Sequence, residues 1–154
     1  MSEDLSPQKS ESVKTTLFTP SLFGGRFTRK QFWGYLILGN LLSAFIAGLV
    51  FLACDNNDSL YRIIGIVWGT IFVVFYSLPI AVKRAHDMGC TEKVPVALAI
   101  AGCLLNLLSG HEPEVSQFFQ LVIGVPYTIW LGFWDSQKGT NKYGPSTKYP
   151  DTVA

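Results

Sequence analysis

The sequence predicts an all-α polytopic membrane protein: a four-transmembrane-helix bundle with both termini in the cytoplasm. Three observations carry that expectation. First, the stretches 33–53, 63–82, 94–108 and 118–134 contain no Asp, Glu, Lys or Arg. A surface helix in water keeps a polar face, and these have none. Second, hydrophobic residues make up 49% and charged residues 15% of the 154 residues, with a mean hydropathy of +0.30. That is a membrane composition rather than a soluble or disordered one. Third, the loop cations are unevenly shared. Lys9, Lys14, Arg26, Arg29 and Lys30 precede the first stretch, Lys83, Arg84 and Lys93 join the second to the third, and Lys138, Lys142 and Lys148 follow the fourth. The opposite loops hold only Arg62, with Asp55, Asp58, Glu112 and Glu114. The positive-inside rule then puts both termini inside. The near-neutral net charge of +1 hides this split. With no soluble basic face, nucleic acid is not an expected partner.

Residues 1–16 are polar, are expected to be disordered, and contain no cleavable signal sequence. The first span then serves as the targeting signal and stays in place. The membrane domain is expected over 17–145, with a flexible tail over 146–154. Leu17, Phe18, Leu22, Phe23 and Phe27, interrupted by Pro20 and Gly24-Gly25, form an apolar, basic lead-in along the inner membrane surface.

Thr28 reads as the N-cap of the first helix, with Gln31 completing a capping box. Phe27 and Phe32 occupy the staple positions, so the helix is expected to start at Arg29. The first two spans reach the roughly 20 residues that cross a ~30 Å hydrocarbon core. The third and fourth are shorter and borrow flanking residues, thin the bilayer or lie against the others. Pro79 and Pro126 are expected to kink the second and fourth.

Small residues recur at i, i+4: Gly39/Ser43/Ala47, Gly65/Gly69, Ala97/Ala101 and Gly124/Thr128/Gly132. Such stripes let helices approach closely in lipid. Packing within one bundle is the first reading. A homo-oligomer or a membrane-protein partner is the sharper one. Trp33, Tyr35, Trp130 and Trp134 are placed for an inner aromatic belt. Within the spans the polar residues are chiefly Asn40, Thr70, Ser77, Asn106, Gln120 and Thr128, with no ionisable group of the kind that proton- and ion-coupled carriers use. Cys54, Cys90 and Cys103 form no CxxC and are read as unpaired.

Three polar blocks converge on the inner interface: Gly25-Arg26-Phe27-Thr28-Arg29-Lys30-Gln31-Phe32-Trp33, Lys83-Arg84-Ala85-His86-Asp87-Met88-Gly89, and 135–145. In this order they resemble the domain-of-unknown-function 805 family of small bacterial inner-membrane proteins. That family shows a GRxxRxxFW lead-in, an RxHDxG turn and a D…GxNxYGP tail. The matching residues are Gly25, Arg26, Arg29, Phe32 and Trp33; Arg84, His86, Asp87 and Gly89; and Asp135, Gly139, Asn141, Tyr143, Gly144 and Pro145. The segment Thr91-Glu92-Lys93-Val94-Pro95 departs from the family's small-polar and Trp-rich pattern. The resemblance implies the bacterial inner membrane and a multi-pass topology, and it implies no activity.

Arg29 and Lys30 fall at the first two helical positions, where the macrodipole disfavours cations. An anion bridging them to the free N–H groups would resolve this, and a lipid phosphate is the nearest in abundance. Arg26 and Arg84 are expected to join this phosphate site, since guanidinium can chelate phosphate. Arg84, His86, Asp87, Asp135 and Asn141 form the expected polar cluster, with Arg84 pairing with Asp87 or Asp135. Gly89 is expected at positive φ. No metal, cofactor or catalytic residue is assigned: His86, Asp87 and Asp135 offer few ligands, and His111 lies on the other side.

The leading functional expectation is a non-enzymatic interaction or envelope-support component with an anionic-lipid-binding inner face, so membrane lipids are the first partners. One alternative is a membrane enzyme acting on lipid headgroups, with His86 and Asp87 as acid and base. A small oligomeric channel or carrier is the weaker one.

Overall fold

The computed structural model describes residues 22–54, 57–108, 113–146 and 148–149. The expected disordered segment 1–16 and most of the 146–154 tail lie outside them. All regular structure among the described residues is helical, apart from one bridge between Asn141 and Gly144.

Helix α1 covers Arg29–Ala53. It starts where the capping box places it. The Thr28 hydroxyl accepts from the Gln31 backbone N–H, and Gln31 Oε1 accepts from the Thr28 backbone N–H at 2.9 Å. The second long helix runs Asp58–Asp87 as α2 (Asp58–Phe72), a π turn (Val73–Ser77) and α3 (Leu78–Asp87). It outruns the expected 63–82 at both ends. The Asn57 side chain caps its start by accepting from Leu60 N at 3.0 Å. At its end, Lys83–Asp87 stay helical because the rest of the protein, not water, takes up their polar groups. Helix α4 covers Lys93–Leu108, and the last helix joins α5 (Pro113–Phe119), a second π turn (Gln120–Gly124) and α6 (Val125–Phe133).

Each proline expected to kink its span follows one of these two π turns, which end two residues before Pro79 and Pro126. Leu78 N–H reaches back to Val73 O and Val125 N–H to Gln120 O, each an i→i−5 bond. Proline lacks an N–H and its ring crowds the carbonyl four residues back. Widening the helix by one residue accommodates both defects.

Helix α1 packs on α2, α3 and α6, α3 packs on α4 and α6, and α4 packs on α5, so the four helices form a ring. The buried apolar cluster is Phe32, Ile80, Met88 and Leu131. It lies at one end, where α1 begins and α3 and α6 finish. The small-residue stripes work inside this ring at several points. A methyl group at Gly39 would overlap the Tyr76 ring, one at Gly132 would overlap the Trp33 indole, and Trp68 Nε1 donates to Ser43 Oγ at 3.0 Å. Trp33 thus packs, partly buried, against Gly132 and the buried cluster. Cys54, Cys90 and Cys103 are free thiols.

Two helices, Arg29–Ala53 and Asp58–Asp87, are long and apolar enough to cross a membrane, and Lys93–Leu107 and Gln117–Phe133 are shorter apolar helices. Away from the polar end, side chains such as Leu41, Phe45, Leu49, Ile63 and Phe75 stand exposed. An apolar surface this continuous is costly in water and costs nothing in lipid.

Candidate functional site

The site is built on the last turn of two helices. Helix α6 ends with carbonyls that have no partner in their own helix. Side chains from elsewhere take four in succession. Leu131 O accepts from Arg84 Nε at 2.8 Å, Gly132 O from Trp33 Nε1 at 3.2 Å, and Phe133 O from Arg29 Nη1 at 3.4 Å. Trp134 O accepts from Arg84 Nη2. Two guanidiniums thus meet the negative end of a helix dipole, the placement it favours.

Arg84 is fully buried, as is Asp87 three residues on. Arg84 Nη1 donates to Asp87 Oδ2 at 2.5 Å and to Phe27 O at 3.2 Å. From the lead-in segment before α1, Arg26 Nε donates to Asp87 Oδ1 at 3.1 Å. Ser136 Oγ donates to Asp87 Oδ2. One buried carboxylate therefore sits between two buried guanidiniums and accepts a hydroxyl as well. A buried charge survives only when paired and hydrogen-bonded in this way.

The remaining donors of Arg26 organise the tail. Nη1 reaches Gly139 O at 2.9 Å and Gly144 O at 3.1 Å, while Nη2 reaches Gln137 O at 2.6 Å and Asp87 O at 3.2 Å. All five N–H groups of Arg26 are thus spent on Asp87 and on tail carbonyls. The tail also donates: Gln137 N to Asp87 O at 2.8 Å and Asn141 Nδ2 to His86 O at 3.0 Å. These bonds hold the end of α3 against the tail without a strand or helix in between. Gly89 does adopt positive φ, at 79°, and Gly139 and Gly144 do so at 70° and 121°. The Gly89 turn brings its backbone against the Gln137 side chain, which a Cβ would meet at 2.5 Å from Oε1.

His86 faces away from this centre. Its ring stacks on Tyr143, with centroids 3.5 Å apart and planes 8° apart, and Nε2 lies 3.4 Å from Glu92 Oε2. The Tyr143 hydroxyl donates to the same Glu92 oxygen at 3.3 Å. Its own backbone N–H, then His86 and Tyr143, hold the Glu92 carboxyl below the usual carboxylate range. His86 and Asp87 thus have separate partner sets. An acid–base pair does not assemble from them.

At the rim, Asp135 accepts from Arg29 Nη2 and from Lys148 Nζ, both at 2.6 Å, and from the Tyr149 hydroxyl at 3.1 Å. Lys148, then the Ser136 N–H, Arg29 and Tyr149, hold its carboxyl well below the usual range. Asp135 is thus the anion that offsets the misplaced cation at the start of α1.

The structure pairs Arg84 with Asp87, ties Asn141 to the His86 carbonyl, and gives Asp135 to Arg29 rather than to Arg84. It also separates the four cations expected on a lipid phosphate. Arg26 and Arg84 are interior and engaged, while Arg29 and Lys30 lie at the surface. The sequence reading missed the roles of Ser136 and Gln137 on Asp87, and of Glu92 beside His86. No motif marks them, because their bonds form only when the tail folds back across the end of α3.

The family described as "Protein of unknown function (DUF805)" matches residues 21–145. A protein of Escherichia coli strain K12, "Uncharacterized protein YiiR", is 30% identical over 134 residues, covering 82% of this chain and 86% of that protein. The protein of the same name from Escherichia coli O157:H7 matches to the same extent. No solved structure matches. The family match spans the lead-in, the turn and the tail that meet at Asp87, and by it this chain belongs to the DUF805 family.

Proposed function

We propose that this chain is a multi-pass protein of the bacterial inner membrane, with four spans and both termini in the cytoplasm, acting as a non-enzymatic interaction or envelope-support component. The carrying observation is the Asp87 centre. It ties lead-in, loop and tail into one folded polar face at a single end of an otherwise apolar helix ring. A face of this kind presents a fixed surface, whereas an enzyme site needs groups left free to react.

Anionic headgroups are the first ligands of that face, and exposed cations at its edge meet them. Arg26 and Arg84 support the face from within, and Arg29 shares its charge with Asp135. Lys30, Lys138 and Lys142 are exposed. Each basic residue near an anionic surface contributes about 1 kcal/mol. The double variant Lys30→Gln, Lys138→Gln should therefore lose about 2 kcal/mol, near thirtyfold in preference for phosphatidylglycerol over phosphatidylcholine. Thermal stabilisation of the purified protein by each lipid measures it, and equal stabilisation of variant and wild type removes the lipid reading. Alkaline phosphatase fused after Asn57 should be active, and fused after Gly89 or Tyr149 inactive. Activity at Tyr149 would mean an odd number of spans and overturn the topology.

A further inference from the structure

Between the four helices lies a half-open cavity of about 490 Å³. It lies next to the buried apolar cluster and is lined by all four helices, among them Trp33 and Asn40 of α1, Ser77 of the first π turn, Ala99 of α4, and Phe119 and Gln120 of the last helix. Its size is that of a small-molecule site, and bundle interiors are a common place for one. Among the described residues no Asp, Glu, Lys, Arg or His lines it, a lining that suits an uncharged occupant.

Two carboxamides show what that occupant must offer. Asn40 Nδ2 donates to Leu36 O at 2.7 Å. The second N–H of Asn40 Nδ2 and the Gln120 carboxamide N–H groups have no protein acceptor among the described residues, and both side chains stand on the open side of the ring. In lipid there is no water to satisfy them, and an unpaired amide there costs several kcal/mol. Their depth is also informative. At roughly 1.5 Å per residue, Asn40 stands about 17 Å along α1 from Arg29, and Gln120 about 20 Å back from Phe133. Both are near the middle of a ~30 Å core. Phospholipid ester carbonyls sit at the interface and do not reach that depth. Both π turns end at this same cavity, through Ser77 and Gly124, and such turns recur at functional sites.

We propose that the cavity holds an uncharged, carbonyl-bearing lipid of the bilayer interior, of the isoprenoid-quinone class, with Asn40 and Gln120 donating to its ring carbonyls beside Trp33 and Phe119. The inference rests on the chain spanning the membrane. That premise is tested first by carbonate washing of membranes, and release of the protein into the supernatant would sink both readings together.

With the protein retained, the full chain carrying Trp68→Phe, Trp130→Phe and Trp134→Phe keeps Trp33 as its single tryptophan. In phosphatidylcholine nanodiscs, decylubiquinone should quench Trp33 saturably. Adding Asn40→Leu and Gln120→Leu should weaken the apparent affinity about tenfold, the loss of two ordinary hydrogen bonds. Ala99→Phe, which fills the cavity, should abolish saturation. If Ala99→Phe does not fold, the leucine pair still decides, because leucine is at home in a lipid-facing helix. Quenching that rises linearly with quinone and is equal in all variants would overturn the proposal. So would saturable quenching by brominated-acyl phosphatidylcholine that ignores the leucine pair, which would identify an acyl chain as the occupant.

Discussion

At the polar end of the ring Arg84 and Asp87 have no exposed surface, whereas at the other end Leu52 is 76% and Phe45 65% exposed. The polar end is held by directional bonds between charges with fixed partners. The apolar end is held by close approach at a few glycines and by whatever solvent surrounds it. Directional bonds tolerate one arrangement, so the polar end specifies which helix termini meet. Apolar contact tolerates many, so the outer halves are less tightly specified. Substitutions that act on the two ends should therefore differ sharply in cost.

The largest effect should come from Asp87→Ala. It leaves the buried guanidiniums of Arg26 and Arg84 facing each other without a counter-charge. Breaking a buried pair in this way costs about 3–5 kcal/mol. We expect little folded protein by size-exclusion profile in detergent, against a near-normal profile for Phe45→Ala at the apolar end. Comparable losses from both would erase the distinction.

Next in size is Gly39→Ala. The new methyl must displace the Tyr76 ring, whose hydroxyl donates to Tyr35 O at 2.5 Å. Overpacking of this kind costs about 1–3 kcal/mol. Gly48 lies on the same helix with nothing within 4 Å of a Cβ, so Gly48→Ala should leave the melting temperature unchanged. The pair tests whether the outer ring has one fixed contact or none.

A smaller loss should follow Asn141→Ala. Its Nδ2 donates to His86 O and Gln137 Oε1, both at 3.0 Å, and its Oδ1 accepts from Tyr143 N at 2.9 Å. We expect about 1–2 kcal/mol, read as faster protease cleavage in the tail with the helices still intact. Cleavage at the wild-type rate would mean that Arg26 and the other tail contacts hold it without Asn141.

The helix pattern was legible in the sequence because charge-free length and a capping box are local signals. Thr28 and Gln31 fix the start of α1 from four residues of chain. The meeting of Arg84 and Asp87 was legible for the same reason, since three residues on a helix turn suffice. Arg26 was harder. Nothing near it in sequence needs a cation, and its partners lie 61 to 118 residues away. Positive charge near a span end reads first as a topology signal, and only the fold shows that this one faces inward. Trp33 is a similar case: its place near a span end says nothing of its contact with Gly132, 99 residues on, where the missing side chain makes room for the indole.

The smallest predicted effect concerns the rim, where both carboxyls are exposed. Asp135 and Glu92 are each held below the usual carboxylate range, chiefly by Lys148 in the first case and by its own backbone N–H in the second. A carboxyl whose folded value is lowered adds stability above its ordinary titration range and loses it as pH falls through the folded value. Acid should therefore loosen the Asp135 contacts to Lys148 and Tyr149, and the Glu92 contact to His86 and Tyr143. The Asp87 centre is sealed from solvent by its own bonds and does not depend on the rim contacts. Hydrogen exchange read from about pH 5 down to about pH 2 should rise first at Tyr143 and Tyr149, with Arg84 to Met88 still protected. Asp135→Asn should remove the pH response at Tyr149 and leave that at Tyr143. Loss of protection at Asp87 before Tyr149 would show that the buried centre, not the rim, is the weaker part of the polar end.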